Sequence, residues 1–210
     1  MANFEDAIMR DTRANQPAAG IPGRLYYVTD ENVTERDNGS AWEDYSDAGS
    51  GGGGGAVVAV KSAIKTDTQS TTTGNGSWVD VTGLSITYTP TSSSNKILVQ
   101  VNVQVGNEGG QNSTLLRLVR DSTAIGVGDA AGSRTQASAH AYQSDSGNML
   151  SVGMSVLDAP GDTSSHTYKV QFGRATGAGG TSYINRSHTD ANAAYVARTA
   201  STITIMEVTP

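Results

Sequence analysis

Three histidines, His140, His166 and His188, and a scatter of loop carboxylates are the side chains of this sequence suited to acid–base or metal chemistry. Their spacing supports neither. The histidines fall in different polar segments, and none stands at metal-ligand spacing from another. His188-Thr189-Asp190 sets one imidazole near one carboxylate, a weak base or ligand pair that a solvated loop explains better. Asp121, Asp129, Asp145 and Asp162 could offer oxygens to Ca²⁺, but nothing spaces them as a ligand loop. Gly126-Val-Gly128-Asp-Ala-Ala131 matches the glycine spacing of a dinucleotide loop, as do Gly49, Gly51 and Gly54. Neither sits in a parallel βαβ unit, so the first reads as a glycine-rich hairpin and the second as a linker. The motifs of serine hydrolases, zinc proteases and P-loop enzymes are missing, and without cysteine there is no disulfide or thiolate site. The expectation is a non-enzyme that needs no cofactor and no metal.

Binding chemistry is better represented. The stretches 141–148 and 177–186 are rich in Gly, Ser and Asn and carry Tyr142, Tyr183, Asn185 and Arg186. Aromatic faces beside amides suit glycans, whose rings stack while their hydroxyls pair. Polar surface loops without any ligand have the same composition.

These loops hang on strands. Only 36% of the 210 residues are hydrophobic, yet charged residues are just 16%, so the high-charge signature of disorder is missing. From Val57 onward apolar residues recur with period 2: Leu84, Ile86 and Tyr88; Ile97, Val99, Val101, Val103 and Val105; Leu150, Val152, Met154 and Val156; Tyr168, Val170 and Phe172. Turn clusters such as Thr73-Gly-Asn-Gly76 and Pro160-Gly161 separate them. The pattern predicts an all-β fold, a jelly-roll β-sandwich over 56–210. Two segments break the alternation: Leu115, Leu116 and Leu118, and Ile203, Ile205, Met206 and Val208. Strands apolar on both faces need further cover, read here as a subunit interface, with a loop folded over the sheet as the alternative.

Residues 1–48 differ. They hold the whole acidic excess, four arginines against ten acidic residues over 1–50, whereas 51–210 balance ten against ten. A neutral head without basic clusters speaks against nucleic acid. Residues 2–13 read as a short amphipathic helix capped by Asn3, with Phe4, Ile8 and Met9 on one stripe. A small β-meander follows, with Leu25, Tyr27 and Trp42 as its apolar residues and Asp37-Asn38-Gly39 as a type I′ hairpin signal. So few apolar residues cannot bury a core alone, so Phe4, Ile8, Met9, Leu25, Tyr27 and Trp42 are candidate attachment residues. The glycine run 49–55 links this segment to the head. The acidic start is unlike a secretory leader, and no apolar run is long enough to span a bilayer, so synthesis in the cytoplasm without membrane insertion is expected.

Two sets of segments resemble a known family. Gly20-Ile-Pro-Gly-Arg-Leu-Tyr-Tyr-Val-Thr-Asp30, with Arg36-Asp-Asn-Gly-Ser-Ala-Trp42, resembles an element found near the N-termini of bacteriophage fibre and appendage proteins. Trp78-Val-Asp-Val81, Tyr88-Thr-Pro90, Lys96-Ile-Leu-Val99, Arg120-Asp-Ser-Thr-Ala-Ile125, Tyr168-Lys-Val170, Tyr183-Ile-Asn-Arg186 and Ile203-Thr-Ile-Met-Glu-Val208 resemble the C1q/TNF-like jelly-roll tips of such appendages. The resemblance implies a virion protein, a tail fibre or capsid spike. It implies a homotrimer held to other virion proteins by its N-terminal segment, with the head turned toward a host-surface glycan or protein. It carries over no catalytic residue. A capsid decoration protein without a receptor role and a stand-alone carbohydrate-binding module are the competing readings.

Overall fold

The computed structural model describes residues 8–45, 55–74, 76–108, 113–175 and 180–210. The chain divides into two compact units between Gly54 and Gly55. Of the glycine link, only Gly55 lies among the described residues.

The first unit is one sheet of four strands in chain order: β1 (Ile8–Asp11), β2 (Leu25–Val28), β3 (Val33–Asp37) and β4 (Trp42–Asp44). The expected helix over 2–13 is corrected over its described part. Ile8 to Asp11 pair in parallel with Leu25 to Val28, and a single 3₁₀ turn follows at Arg13–Asn15. Sheet pairing satisfies these backbone groups, which a helix this short does poorly on its own. Phe4 lies outside the described residues. The β3–β4 hairpin forms where expected, but its connection spans 38–41 rather than two residues. Only Gly39 takes a positive φ there, at 98°. Beside the backbone bond from Asn38 N–H to Ala41 O, side chains support the turn: Asn38 Oδ1 accepts from the N–H groups of Ser40 and Ala41, and Asp37 Oδ1 from that of Gly39.

The second unit is a two-sheet sandwich. Its strands are β5 (Val57–Lys65), β6 (Gln69–Thr71), β7 (Val79–Tyr88), β8 (Lys96–Asn107), β9 (Ser113–Arg120), β10 (Thr123–Ile125), β11 (Ala139–Tyr142), β12 (Leu150–Asp158), β13 (His166–Arg174), β14 (Ser182–Ile184) and β15 (Ser201–Val208). One sheet runs β5-β15-β8-β12, and β14 and β6 continue it beside the C-terminal end of β8. The other runs β7-β13-β9-β11, with β10 beside the end of β9. Counting the eight principal strands alone, the orders are 1-8-3-6 and 2-7-4-5, the interleaving of a jelly roll. The core lies between the sheets, where Ile97, Val99, Val101, Val103 and Val105 of β8 meet Leu84, Leu116, Tyr168 and Phe172 of the facing sheet.

At the end where the chain enters, Ala56 and Thr209 are hydrogen-bonded through their backbones. There the sandwich is closed by two tyrosine–carboxylate pairs, each joining one sheet to the other. Tyr168 Oη donates to Asp158 at 2.8 Å, and Arg120 donates to the same carboxylate at 2.6 Å. Tyr88 Oη donates to Glu207, which also accepts from Asn95 Nδ2 at 2.8 Å and from the N–H of Thr91 at 2.7 Å. Burial alone would raise the pKa of Glu207, but the donors from Tyr88, Asn95 and Thr91 outweigh it and hold the carboxyl at about 2.

Glu207→Ala strips these buried donors of their acceptor and should cost about 2–4 kcal/mol, read from the urea midpoint. Glu207 is held below its ordinary value, so it favours the folded state above about pH 4.5, and that contribution fades as pH falls toward about 2. In Glu207→Gln the acid limb of stability against pH should flatten over this window. An unchanged limb contradicts the assignment.

Candidate functional site

The first unit is organised by a buried carboxylate. Asp37 has no exposed surface and accepts from the N–H groups of Gly20 and Ile21, the latter at 2.8 Å, besides that of Gly39. The Arg24 guanidinium closes the set at 2.5 Å. Burial pushes this carboxyl up, but Arg24 and the three backbone donors hold it well below the usual carboxylate range. Arg24 also lies 5.2 Å from the ring centre of Trp42, which packs against Tyr26 at 5.7 Å and donates its indole N–H to Pro17 O at 2.7 Å. The residues that carry the appendage resemblance, from Gly20 through Arg24 to Asp37, Gly39 and Trp42, are therefore those that hold this unit together.

That arrangement sorts the candidate attachment residues. Trp42 is a structural aromatic. Leu25 and Tyr27 are half-buried, and the buried pair on β2 is Tyr26 and Val28, on the opposite face. Ile8 is exposed and Met9 half-buried on β1. Among the described residues, the unit's other exposed large hydrophobic residues are Ile21 and Tyr45.

The candidate interface residues also divide. Leu116, Leu118, Ile203 and Ile205 are at most 1% exposed and point into the head's own core. Leu115 is buried too, on the opposite face of β9, in a groove walled by residues 128–137 with Ala139 and Ala175. There a loop of the same chain lies over the sheet beside Leu115. Met206 and Val208 remain half-exposed on the outer face of β15.

Register shows what Met206 belongs to. It pairs with Val60 of β5 on one side and Leu98 of β8 on the other, and Leu98 pairs in turn with Leu157 of β12. Val60, Met206, Leu98 and Leu157 thus form one apolar row across four strands, roughly 14–15 Å long. Val60 is 57% and Leu157 53% exposed. Val57 and Val208 extend the row toward the chain's entry. The next row is polar, Ser62, Thr204, Gln100 and Ser155. The outer face of the other sheet is different in kind: Lys169 and Gln171 both donate to Asp80, Thr87 pairs with Thr167, and Arg117 stacks on Trp78 at 4.4 Å. Sequence reasoning picked out Met206 and missed Leu98, Leu157 and Val60. The available signal was an apolar residue in the polar phase of a strand, read for β9 and β15 but not for β8 and β12.

The candidate ligand residues lie toward the opposite end, away from Ala56. Tyr142 is exposed on β11. Tyr183 is only 6% exposed, between the Arg186 guanidinium at 4.0 Å and His188 at 5.6 Å. Asn185 is fully buried and left-handed at φ 64°. Its Nδ2 donates to Lys65 O and Asp67 O, and its Oδ1 accepts from Ser201. Tyr183 and Asn185 position this pole, and neither is presented to a ligand. Gly106 is required beneath them, since a Cβ there would stand 2.3 Å from Arg186 O.

The histidines do no joint chemistry. His166 is held between Asp121 at 2.8 Å and Asp162 at 3.1 Å, which raises its pKa, chiefly through Asp121. His140 borders the groove over Leu115, and His188 stays with Tyr183. Among the described residues, no cluster of three or more His, Asp or Glu side chains is placed to hold a metal.

Geometry and topology define an all-β protein with a jelly-roll head. No protein-family model matches the sequence, and no curated protein does. Solved structures similar to it include infectious bursal disease virus Gt strain, at 11% identity and TM-score 0.40 over 72% of this chain and 38% of that one. A mutant VP2 protein of the same virus, in derived T=1 particles, is similar at 10% identity and TM-score 0.39, over 88% and 47%. The chain spans less than half the length of these proteins.

Asp37→Ala should unfold residues 8–45 and leave 55–210 folded, because the hydrophobic core lies wholly in the second unit and each unit has its own sheet pairing. Hydrogen exchange read by mass spectrometry checks this. Amides of β2 and β3 should lose protection while those of β8 and β15 keep it, and retained protection in β2 would refute the hub role of Asp37.

Proposed function

We propose that the protein is a non-catalytic structural component of a bacteriophage virion, a tail fibre or capsid spike. In this reading it is a homotrimer, anchored to other virion proteins by residues 1–48 and displaying its jelly-roll head toward the host surface. The observation that carries the association is the outward row Val60, Met206, Leu98 and Leu157 on one sheet, set against the polar, internally paired β7 and β13 of the other. Apolar surface aligned across four strands is costly to leave in water and is relieved when three copies bring it to a shared three-fold axis. The head's balanced charge fits self-association better than a strongly charged partner. The virion assignment is supported by the sequence resemblance in both units. No helix among the described residues is long and apolar enough to cross a membrane.

Sedimentation or light scattering of the full chain tests the association. The wild-type protein should be trimeric at micromolar concentration. Leu98→Asp with Leu157→Asp should weaken association by about two orders of magnitude or more. Both side chains face outward, so far-UV dichroism and the melting curve should keep their form, and Gln100→Ala serves as control. A monomeric wild type, or a trimer indifferent to the two aspartates, overturns this interface. If the chain is missing from gradient-purified particles, the virion reading falls. Attachment of particles to cells unchanged by deleting the head would favour a decoration role.

A further inference from the structure

The connection from β14 to β15, residues 185–200, is long, has no regular secondary structure and yet is tightly held. Asn185 closes its base, because its O accepts from the N–H of Thr199 while its side chain bonds Ser201, Lys65 O and Asp67 O. Inside the loop one carboxylate gathers two guanidinium groups: Asp190 Oδ2 accepts from Arg198 at 2.7 Å and from Arg186 at 3.1 Å. Asp190 is held at φ 41°, a conformation that non-glycine residues adopt rarely. His188 and Thr189 donate their N–H groups to Ser146 O, so the 143–149 turn braces the loop from the side. A long loop fixed at its base, its middle and its flank is a compact surface loop of the kind that often carries function.

This framework shapes an open surface cavity of about 320 Å³ lined by Asp190, Ala191, Asn192, Ala193, Val196 and Arg198. The volume suits one or two sugar rings, and the lining offers a carboxylate, an amide and a guanidinium beside small apolar side chains. Tyr195, between two lining residues in sequence, is 86% exposed, the most exposed large hydrophobic side chain among the described residues. A tyrosine held out on a braced loop is a ready face for the C–H side of a pyranose. The charges near it cancel: Arg186 and Arg198 stand against Asp190 and Glu108, the last 3.9 Å from His188. There is no cationic surplus to attract an anion.

Resting on the reading in which this end of the head faces outward, we propose that the cavity between Asp190 and Arg198 binds a neutral pyranose sugar, with Tyr195 as the stacking platform. Asp190 and Asn192 take its hydroxyl groups, and the alanines lie against its ring carbons. Asn185, Tyr183 and Gly106 act on the sugar only through the loop they hold.

The test uses the full chain on an immobilised panel of oligosaccharides of glucose, galactose, mannose and N-acetylhexosamines, with uronate- and sialate-containing members for comparison. The strongest neutral binder is then titrated by calorimetry. Saturable binding is expected. It should weaken about tenfold or more in Tyr195→Ala and in Asn192→Ala, both exposed positions whose change leaves the melting temperature in place. Tyr142→Ala, an exposed aromatic away from the cavity lining, should bind as wild type. The proposal is overturned if no neutral member saturates by ~10 mM, if anionic members bind more tightly than neutral ones, or if Tyr195→Ala and Asn192→Ala bind unchanged. Light scattering on the same samples separates the two readings. A trimer that binds no sugar removes this site and leaves the assembly standing, and a sugar-binding monomer does the reverse.

Discussion

The head is built around the need to bury one face of β8. Its five alternating aliphatic residues, Ile97 to Val105, are at most 5% exposed, and three strands pair with its edges. Pairing β15 and β12 on either side lines up further inward residues, Ile203 and Ile205 with Met154 and Val156, and the second sheet exists to cover the surface so formed. Because period 2 fixes which residues face inward, it also fixes which face outward. Leu98, Met206, Val60 and Leu157 form a continuous row by the same register that packs the core.

Where aliphatic residues run out, buried or largely buried carboxylates take over. Glu207 and Asp158 draw tyrosines from the opposite sheet at the chain's entry, and Asp37 gathers a loop, an arginine and a hairpin in the first unit. Each is satisfied several times over, which is the condition for a buried charge to be tolerated. The first unit illustrates why this matters. With Tyr26 and Val28 as its buried hydrophobic residues, a four-stranded sheet has little apolar surface to hide, and the Asp37 network supplies the order instead.

The two outer faces and the two ends of the head divide the work. One face is polar and paired within the chain, the other carries the apolar row. One end holds the chain's entry and the tyrosine–carboxylate pairs, the other holds the braced loop with Tyr195. The proposed association through the apolar row would leave that loop free, so the two proposed roles do not call on the same surface.

The sequence by itself determined the all-β class, the phase of β7, β8, β12 and β13, the neutral head and the break in composition near the glycine run. Those properties rest on local period, turn chemistry and charge, which need no distant partner. It also marked Met206 as apolar in a polar phase. Tertiary structure decided the rest. The segment before Arg13 looks helical on its own, but β2 offers it a backbone partner. Leu25 and Tyr27 rank as apolar, but the sheet turns Tyr26 and Val28 inward. Leu115 lies under a loop of its own chain, and Asn185 reads as a contact residue until its amide is seen bonding Lys65, more than a hundred residues away in sequence. Out-of-phase apolar residues can be read strand by strand, but that Val60, Met206, Leu98 and Leu157 form one row cannot, because they come from four strands. Which side chains share a surface depends on strand order and register, and these are settled when the whole sandwich closes.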